Sequence, residues 1–460
     1  MNEEPAGQLR AFGRGVTGVV SRELREHWHL LGDLAKWIVL GCVIGALAGV
    51  AAAVFLYGLA LATDARGAQP WLLWLLPVGG LAMGLAYHYL GGRAAEGNNL
   101  ILDEIHGLDP AGPVPASDHR WVPRRMAPMV LAGTWITHLL GGSAGREGTA
   151  IQMSGSLADT VSRLLRLGPH DRRIVLIAGI AGGFGAVFGV PLAGTVFALE
   201  VQSVGRIRHD ALVPALAASV TGNLVTHALG LYHHATPRIT LPATPLEPRL
   251  LAVVAIAGLA FAAAAILFSE LTLWLRRGFR LVRWAPARPF IGGLAVIGLT
   301  LWAGERDYLG LSLPLIGAAY TGGVAASAFA WKLLFTSVTL GSGFQGGEVT
   351  PLFVVGATLG ATLSGVLDAP PALLAAAGLV AVFAAATNTP IACTIMGVEL
   401  FGAAALPYLA VACAVAYVFS AHRGIYEAQR VDTPKSRLLP HAPGGRLDEL
   451  GSLRRGKPPT

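Results

Sequence analysis

GFQGGEVTPLF, residues 343–353, lies between apolar runs long enough to cross a bilayer, yet it holds three glycines, a threonine and a glutamate. An ionised carboxylate in hydrocarbon is costly, so Glu348 calls for a partner, a proton or nearby water. The stretch is not alone. Sliding the chain against itself by 199 positions sets GSAGREG, residues 142–148, over GSGFQGG, residues 341–347. The same offset lays AGIAGGFGAVFGVPLAGTVFALE, residues 178–200, over AGLVAVFAAATNTPIACTIMGVE, residues 377–399, with eight of 23 positions identical. Phe184 meets Phe383, Pro191 meets Pro390 and Glu200 meets Glu399. Two segments matched in the same order indicate a duplicated half. A transporter made of two halves places its substrate where they meet, with interrupted helices aiming their amino ends at an anion.

Composition sets the compartment. The chain of 460 residues is 53% hydrophobic and 13% charged, about half the charge of a soluble globular protein. Apolar stretches near 34–62, 71–92, 126–142, 174–200, 211–232, 249–275, 289–304, 311–341, 351–367 and 370–421 read as a polytopic, all-α membrane protein. Several are long enough for two helices. The 59 glycines let helices approach closely, which is how membrane bundles pack. A net charge of +7 raises nucleic acid as a partner, but the basic residues fall in short clusters between apolar runs, so topology accounts for them and nucleic acid is excluded. Arg22 and Arg25, then Arg120, Arg124 and Arg125, then Arg163, Arg166, Arg172 and Arg173, then Arg276, Arg277, Arg280 and Arg283 mark cytoplasmic connections.

Three regions follow. Residues 1–32 are too polar and too long for a cleaved signal peptide, and Leu9 to Leu31 reads as an amphipathic helix on the inner surface. Residues 33–428 form the transmembrane domain, with halves near 33–232 and 249–428. Residues 429–460, rich in Pro, Gly and Arg, read as a disordered cytoplasmic tail. Cys42, Cys393 and Cys413 sit in apolar runs as small hydrophobes.

The two glycine-rich breaks each lead into a helix whose first amides are free to face an anion, and Pro351 suits an early helical turn. Neither break has the lysine and hydroxyl ending of a P-loop. No metal-ligand pair stands at helical spacing, and His138 reads as a packed residue. Glu147, beside Arg146, reads either as an ion pair holding the turn or as a carboxylate that occupies the anion site and leaves when protonated. Glu200 and Glu399, at equivalent ends of the repeat, read as helix-end hydrogen-bond acceptors. Glu348 has no counterpart, since the offset places Thr149 there. Asn98 and Asn99 read as a turn or as amide donors, Thr350 as a cap, and Tyr426 as an interfacial aromatic.

Taken together, EGNNL, GSAGREGT, FGVPLAGTVFALE, GFQGGEVTP and a late tyrosine resemble the CLC superfamily of chloride channels and anion/proton antiporters across about residues 85–430. Three departures, EGNNL for a serine-containing motif, GREGT for GREGP and GGEVTP for GGxFxP, resemble its fluoride/proton antiporter branch, CLC-F. The resemblance implies CLC-type inverted helical repeats with broken and re-entrant helices, a homodimer with one pathway per subunit, and no cofactor. It implies Glu147 as the gating and proton-coupling residue, and Asn98, Glu348, Thr350 and Tyr426 in the anion pathway. Backbone contacts to the anion are expected at Arg146, Gly148, Phe344 and Gln345. Val201 stands where many chloride/proton antiporters carry a second glutamate, a lack shared with the fluoride branch. The implied activity is fluoride export in exchange for protons across an inner or plasma membrane, with both termini cytoplasmic, giving fluoride resistance. Two rivals remain: chloride transport on the same fold and an intramembrane enzyme, the latter without a visible metal or paired-carboxylate motif.

Overall fold

The computed structural model describes residues 4–107, 121–230, 239–241, 245–439 and 444–454, with side chains from 26 to 450 within those ranges. Seventeen α-helices are found among them. In the first half these are α1 (Glu4–Ala68), α2 (Leu76–Ala86), α3 (Asn98–Gly107), α4 (Met126–Leu139), α5 (Glu147–Leu164), α6 (Pro169–Phe188), α7 (Pro191–Glu200) and α8 (Leu212–Ala228). The second half holds α9 (Pro248–Phe279), α10 (Ala287–Ala303), α11 (Leu313–Tyr320), α12 (Ala328–Gly341), α13 (Val349–Leu367), α14 (Pro371–Thr387), α15 (Pro390–Phe401) and α16 (Leu406–Phe419), and α17 (Leu447–Arg454) follows.

The duplication is written in the packing. In one half α1 packs on α4, α6 and α8; in the other α9 packs on α12, α14 and α16. Local signals repeat as well. Pro169 and Pro371 open α6 and α14 in their first turns, where a missing amide hydrogen costs nothing. Gly189 and Asn388 end the same helices in the left-handed conformation, at φ 68° and φ 60°. Pro191 and Pro390 then start the short helices α7 and α15.

The halves are inverted. Glu200 at the end of α7 accepts the amides of Ile391 (3.2 Å) and Ala392 (2.8 Å) at the start of α15. Glu399 near the end of α15 accepts those of Leu192 (3.0 Å) and Ala193 (2.8 Å) at the start of α7. Each carboxylate caps the other half's helix, so α7 and α15 run antiparallel across the interface and their orphan amides are satisfied. Between the halves sit Phe184, Phe188, Phe197, Phe353 and Phe383, all buried, with the repeat-related Phe184 and Phe383 stacked at 6.2 Å.

Five helical stretches among the described residues are long and apolar enough to cross a membrane: Glu26–Ala68, Pro70–Glu96, His209–Ala228, Pro248–Phe279 and Val349–Leu367. Other apolar runs are broken, as their lengths imply: 174–200 into α6 and α7, 311–341 into α11 and α12, 370–421 into α14, α15 and α16. Close packing holds the broken pieces. Gly356 on α13 and Gly378 on α14 face each other so tightly that a Cβ on either would overlap the other's backbone carbonyl. Gly378→Val should therefore destabilise the fold by about 1–3 kcal/mol, read as a lower Tm of the purified protein in detergent.

Two expectations change. The Leu9–Leu31 segment is not a separate surface helix, because helical structure runs unbroken from Glu4 into the first span. The tail is not disordered through its described part. Ser203–Val204 (β1), Arg430–Val431 (β2) and Gly445–Arg446 (β3) form a small sheet in the order β1-β2-β3. Val204, Val431, Leu447 and Leu450 bury together beneath it. Four apolar side chains, with Arg446 paired to Asp103 at 2.6 Å, offset the ordering cost that the Pro and Gly content suggested would win. Residues 440–443 and 455–460 of that tail lie outside the described residues.

Candidate anion and proton site

The two glycine breaks meet. Gly145 donates its amide to the Gly347 carbonyl at 2.6 Å, and Gly347 returns the bond to Gly145 at 2.9 Å. This small bridge sets the amino ends of α5 and α13 side by side at the interface of the halves. Gly346, at φ 154°, holds a backbone geometry open to glycine and lies against the Ala144 methyl.

Glu147 is the first residue of α5 and is fully buried. Its carboxylate crosses the bridge to the start of α13. There it accepts the Thr350 amide at 3.1 Å and the Thr350 hydroxyl at 2.6 and 2.7 Å. From its own side it accepts the Arg146 amide and Nε, both at 3.2 Å. The carboxylate thus occupies the place at a helix amino end where a free anion would bind, ringed by amide, hydroxyl and guanidinium donors. The geometry contains the ion pair with Arg146 and sets the same carboxylate among the donors at the amino end of α13. Thr350 is not a cap for its own helix; its hydroxyl serves Glu147.

Glu348 is the N-cap residue of α13 and makes no side-chain cap bond. It is half-buried and lines a cavity of about 720 Å³ together with Asn98, Tyr426, Phe344 and Gln345. Asn98 and Glu348 face one spot: a methyl group built on Gly148 would stand 3.1 Å from Asn98 Nδ2 and 3.8 Å from Glu348 Oε2. The Asn98 Oδ1 and the Tyr426 hydroxyl are buried without a hydrogen-bond partner among the described residues. Buried polar atoms are rarely left so. A small ion with its water would satisfy them.

Asn98 is placed by the rest of α3. Glu104 pairs with Arg93 (3.0 Å) and Arg172 (3.1 Å), and Arg172 also pairs with Asp159 on α5 at 2.6 Å. Asn99 takes a different part, accepting the Ala428 amide at 3.1 Å and so holding the segment that carries Tyr426. The cavity wall carries Arg276, Arg280, Arg288 and Arg446 alongside Glu96, Asp103 and Glu427.

One expected contact fails. The Phe344 amide donates to the Thr339 carbonyl at 3.3 Å, closing the end of α12, so it does not face the anion path. The side chain of Phe344 remains on the cavity wall. The Arg146 amide is directed at the seat, where it meets Glu147.

Sequence reasoning passed over Lys332 on α12, the one lysine in the run AFAWKLLF. It is fully buried, and its ammonium donates to Ser143 Oγ (2.9 Å), Ser312 Oγ (2.8 Å) and the carbonyls of Tyr308 (3.2 Å) and Gly310 (2.7 Å). A charge inside an apolar run was the available signal. Lys332 ties the GSAGREG loop, four residues ahead of Glu147, to the other half. Lys332→Met leaves two buried carbonyls without that donor and should cost about 1–3 kcal/mol, visible as a lowered Tm. His138, as expected, is packed: it is fully buried, with Nε2 3.5 Å from the Gly145 carbonyl.

Inverted halves, broken helices meeting at the interface and a carboxylate in an anion seat define a membrane ion-transport protein of secondary active type. The chain belongs to the voltage gated chloride channel family, whose model matches residues 79–421. It is 45% identical over 444 residues to the chloride/fluoride channel protein of Pseudomonas syringae pv. tomato, covering 95% of this chain and 93% of the relative. Its fold matches the crystal structure of a CLC-type fluoride/proton antiporter with a TM-score of 0.81 at 33% identity, over 87% of this chain and 98% of that one. A slow cyanobacterial Cl⁻/H⁺ antiporter matches with a TM-score of 0.70 at 21% identity, over 84% and 94% of the two chains. Family membership and fold are thereby as the motifs implied.

Proposed function

We propose that the protein is a fluoride/proton antiporter that exports fluoride from the cytoplasm in exchange for protons. One observation carries the reading most: the Glu147 carboxylate sits on the amide and hydroxyl of Thr350 at the amino end of α13. A titratable side chain in an anion seat couples the two ions by competition. Ionised, it fills the seat; protonated, it loses the charge that holds it there and yields to fluoride.

Fluoride is small and strongly hydrated, so its path must replace water with close donors. Thr350, Asn98 and Tyr426 provide hydroxyl and amide hydrogens, and a protonated Glu348 adds another. The roles assigned are gate and proton carrier for Glu147, coupling for Glu348, and anion contacts for Asn98, Thr350 and Tyr426. The relatives' names, one chloride/fluoride and one fluoride/proton, favour fluoride among the anions. Outward fluoride with inward proton moves charge in the direction an inside-negative membrane favours, at about 2.3 kcal/mol per charge per 100 mV. Fluoride resistance, a homodimer, an inner or plasma membrane location and cytoplasmic termini belong to the same proposal.

The selectivity part is tested by efflux from liposomes loaded with fluoride or with chloride. Fluoride should leave at least about tenfold faster, a difference of about 1.4 kcal/mol in barrier. Equal rates would return the protein to chloride transport on the same fold.

A further inference from the structure

In the antiport reading a proton on Glu348 must pass on to the cytoplasm, and Val201, where a second glutamate is absent, is a buried valine whose carbonyl accepts Gln429 Nε2 at 2.8 Å. A different route reaches Glu348. A cavity of about 30 Å³ lies between α9 and the segment after α16, walled by Thr272, Arg276, Glu348, Ile425 and Glu427. That exceeds the roughly 10–15 Å³ a cavity needs to hold a water molecule. Beside it a second cavity of about 240 Å³ contains Glu270, Arg277, His422, Arg423 and again Glu427. Glu427 also lines the 720 Å³ vestibule. It is the one carboxylate on all three walls among the described residues.

We propose that Glu427 is the proton-transfer residue that takes protons from Glu348 to the cytoplasm through water held in the small cavity. The inference rests on the antiport reading above and adds a residue to it. The step starts from a protonated Glu348. Its O–H bond breaks as the proton passes to the water oxygen, while another proton of that water forms the O–H of Glu427. Glu427 gives that proton to bulk water or a buffer base and returns to a carboxylate, the cavity water is regenerated, and the net result is one proton moved to the cytoplasm.

A purely structural role is a weak account of Glu427. Its ion pair with Arg276 is long, 3.5 Å, with both side chains about a third exposed. Its segment is already held by Asn99 to the Ala428 amide, by Gln429 to Val201 and Thr387, and by the Ile425 amide to Ala386. The charged groups around it are Arg276, Arg277 and Glu270 on α9, Glu348 on α13, His422 and Arg423 on its own segment, and Asp448 on α17.

The test uses full-length protein in liposomes: wild type, Glu427→Gln and Glu427→Asp, with fluoride-driven proton uptake followed at several symmetric pH values and fluoride binding by calorimetry. Glu427→Gln should slow proton uptake at least about tenfold. The slowing should deepen as pH falls and proton acceptors in the bath become scarce. Fluoride binding should persist, and Glu427→Asp should restore most of the rate. Glu427→Gln at wild-type rate, or loss of fluoride binding with no rescue by aspartate, overturns the relay. Should the wild type itself move fluoride without protons, the antiport reading fails and the relay with it.

Discussion

Glu147→Gln protein is expected to lose fluoride-driven proton movement altogether, retaining at most an uncoupled anion leak. The amide is nearly the size of the carboxylic acid, so the fold at the glycine breaks should survive. What it removes is charge and titration. The Thr350 amide and hydroxyl and the Arg146 Nε all donate to Glu147. A neutral amide accepts fewer of these bonds and holds them less strongly than a carboxylate, since charge-assisted bonds are about twice as strong. The seat should then be more open to a free anion, while no proton can be carried. Proton uptake per fluoride should fall to about zero, measured with paired fluoride and pH electrodes. Retained stoichiometric uptake would reduce Glu147 to the structural ion pair.

The second large effect is expected at Glu348. Glu348→Ala should slow fluoride turnover on the order of 100-fold, the scale at which a positioned acid or base contributes to proton transfer. Glu348 shares its vestibule with Asn98 and Tyr426, and its carboxylate is turned toward the first turn of α5. It makes no capping bond to α13, so its removal withdraws no helix-end support. Thermal stability of Glu348→Ala should accordingly stay near wild type while turnover collapses. Wild-type turnover would make the residue a structural feature of the break.

These two carboxylates were legible in the sequence for different reasons. Glu147 stood out through the break it occupies, and Glu348 through its failure to match the repeat. The 199-residue offset also carried the architecture: it related Glu200 to Glu399, and the structure has each capping the other half's short helix. Contacts were harder to read. No pattern in one dimension says that the Thr350 hydroxyl would serve Glu147, 203 residues away. Nor could local spacing reveal that the Phe344 amide is consumed by the end of α12.

Composition misled at both ends of the chain. Polar residues and prolines after Arg430 suggested disorder, yet Val431, Leu447 and Leu450 find Val204 and bury with it, a contact whose reward is tertiary. Arginines interleaved with apolar residues from Leu9 to Leu31 suggested a surface helix, while helix propensity simply carries on into the next apolar run. Lys332 gives no motif in one dimension, a single lysine in an apolar run. Its four oxygen partners come from α10–α11, α5's leading loop and α11's cap, which only the fold assembles.

The most direct measurement places purified protein in liposomes loaded with fluoride and records fluoride efflux and external proton uptake together, with wild type and Glu147→Gln side by side. The account predicts that wild-type efflux is accompanied by proton uptake in fixed proportion and that the proportion falls to zero in the variant. Fluoride leaving the wild-type vesicles with no proton uptake would contradict it.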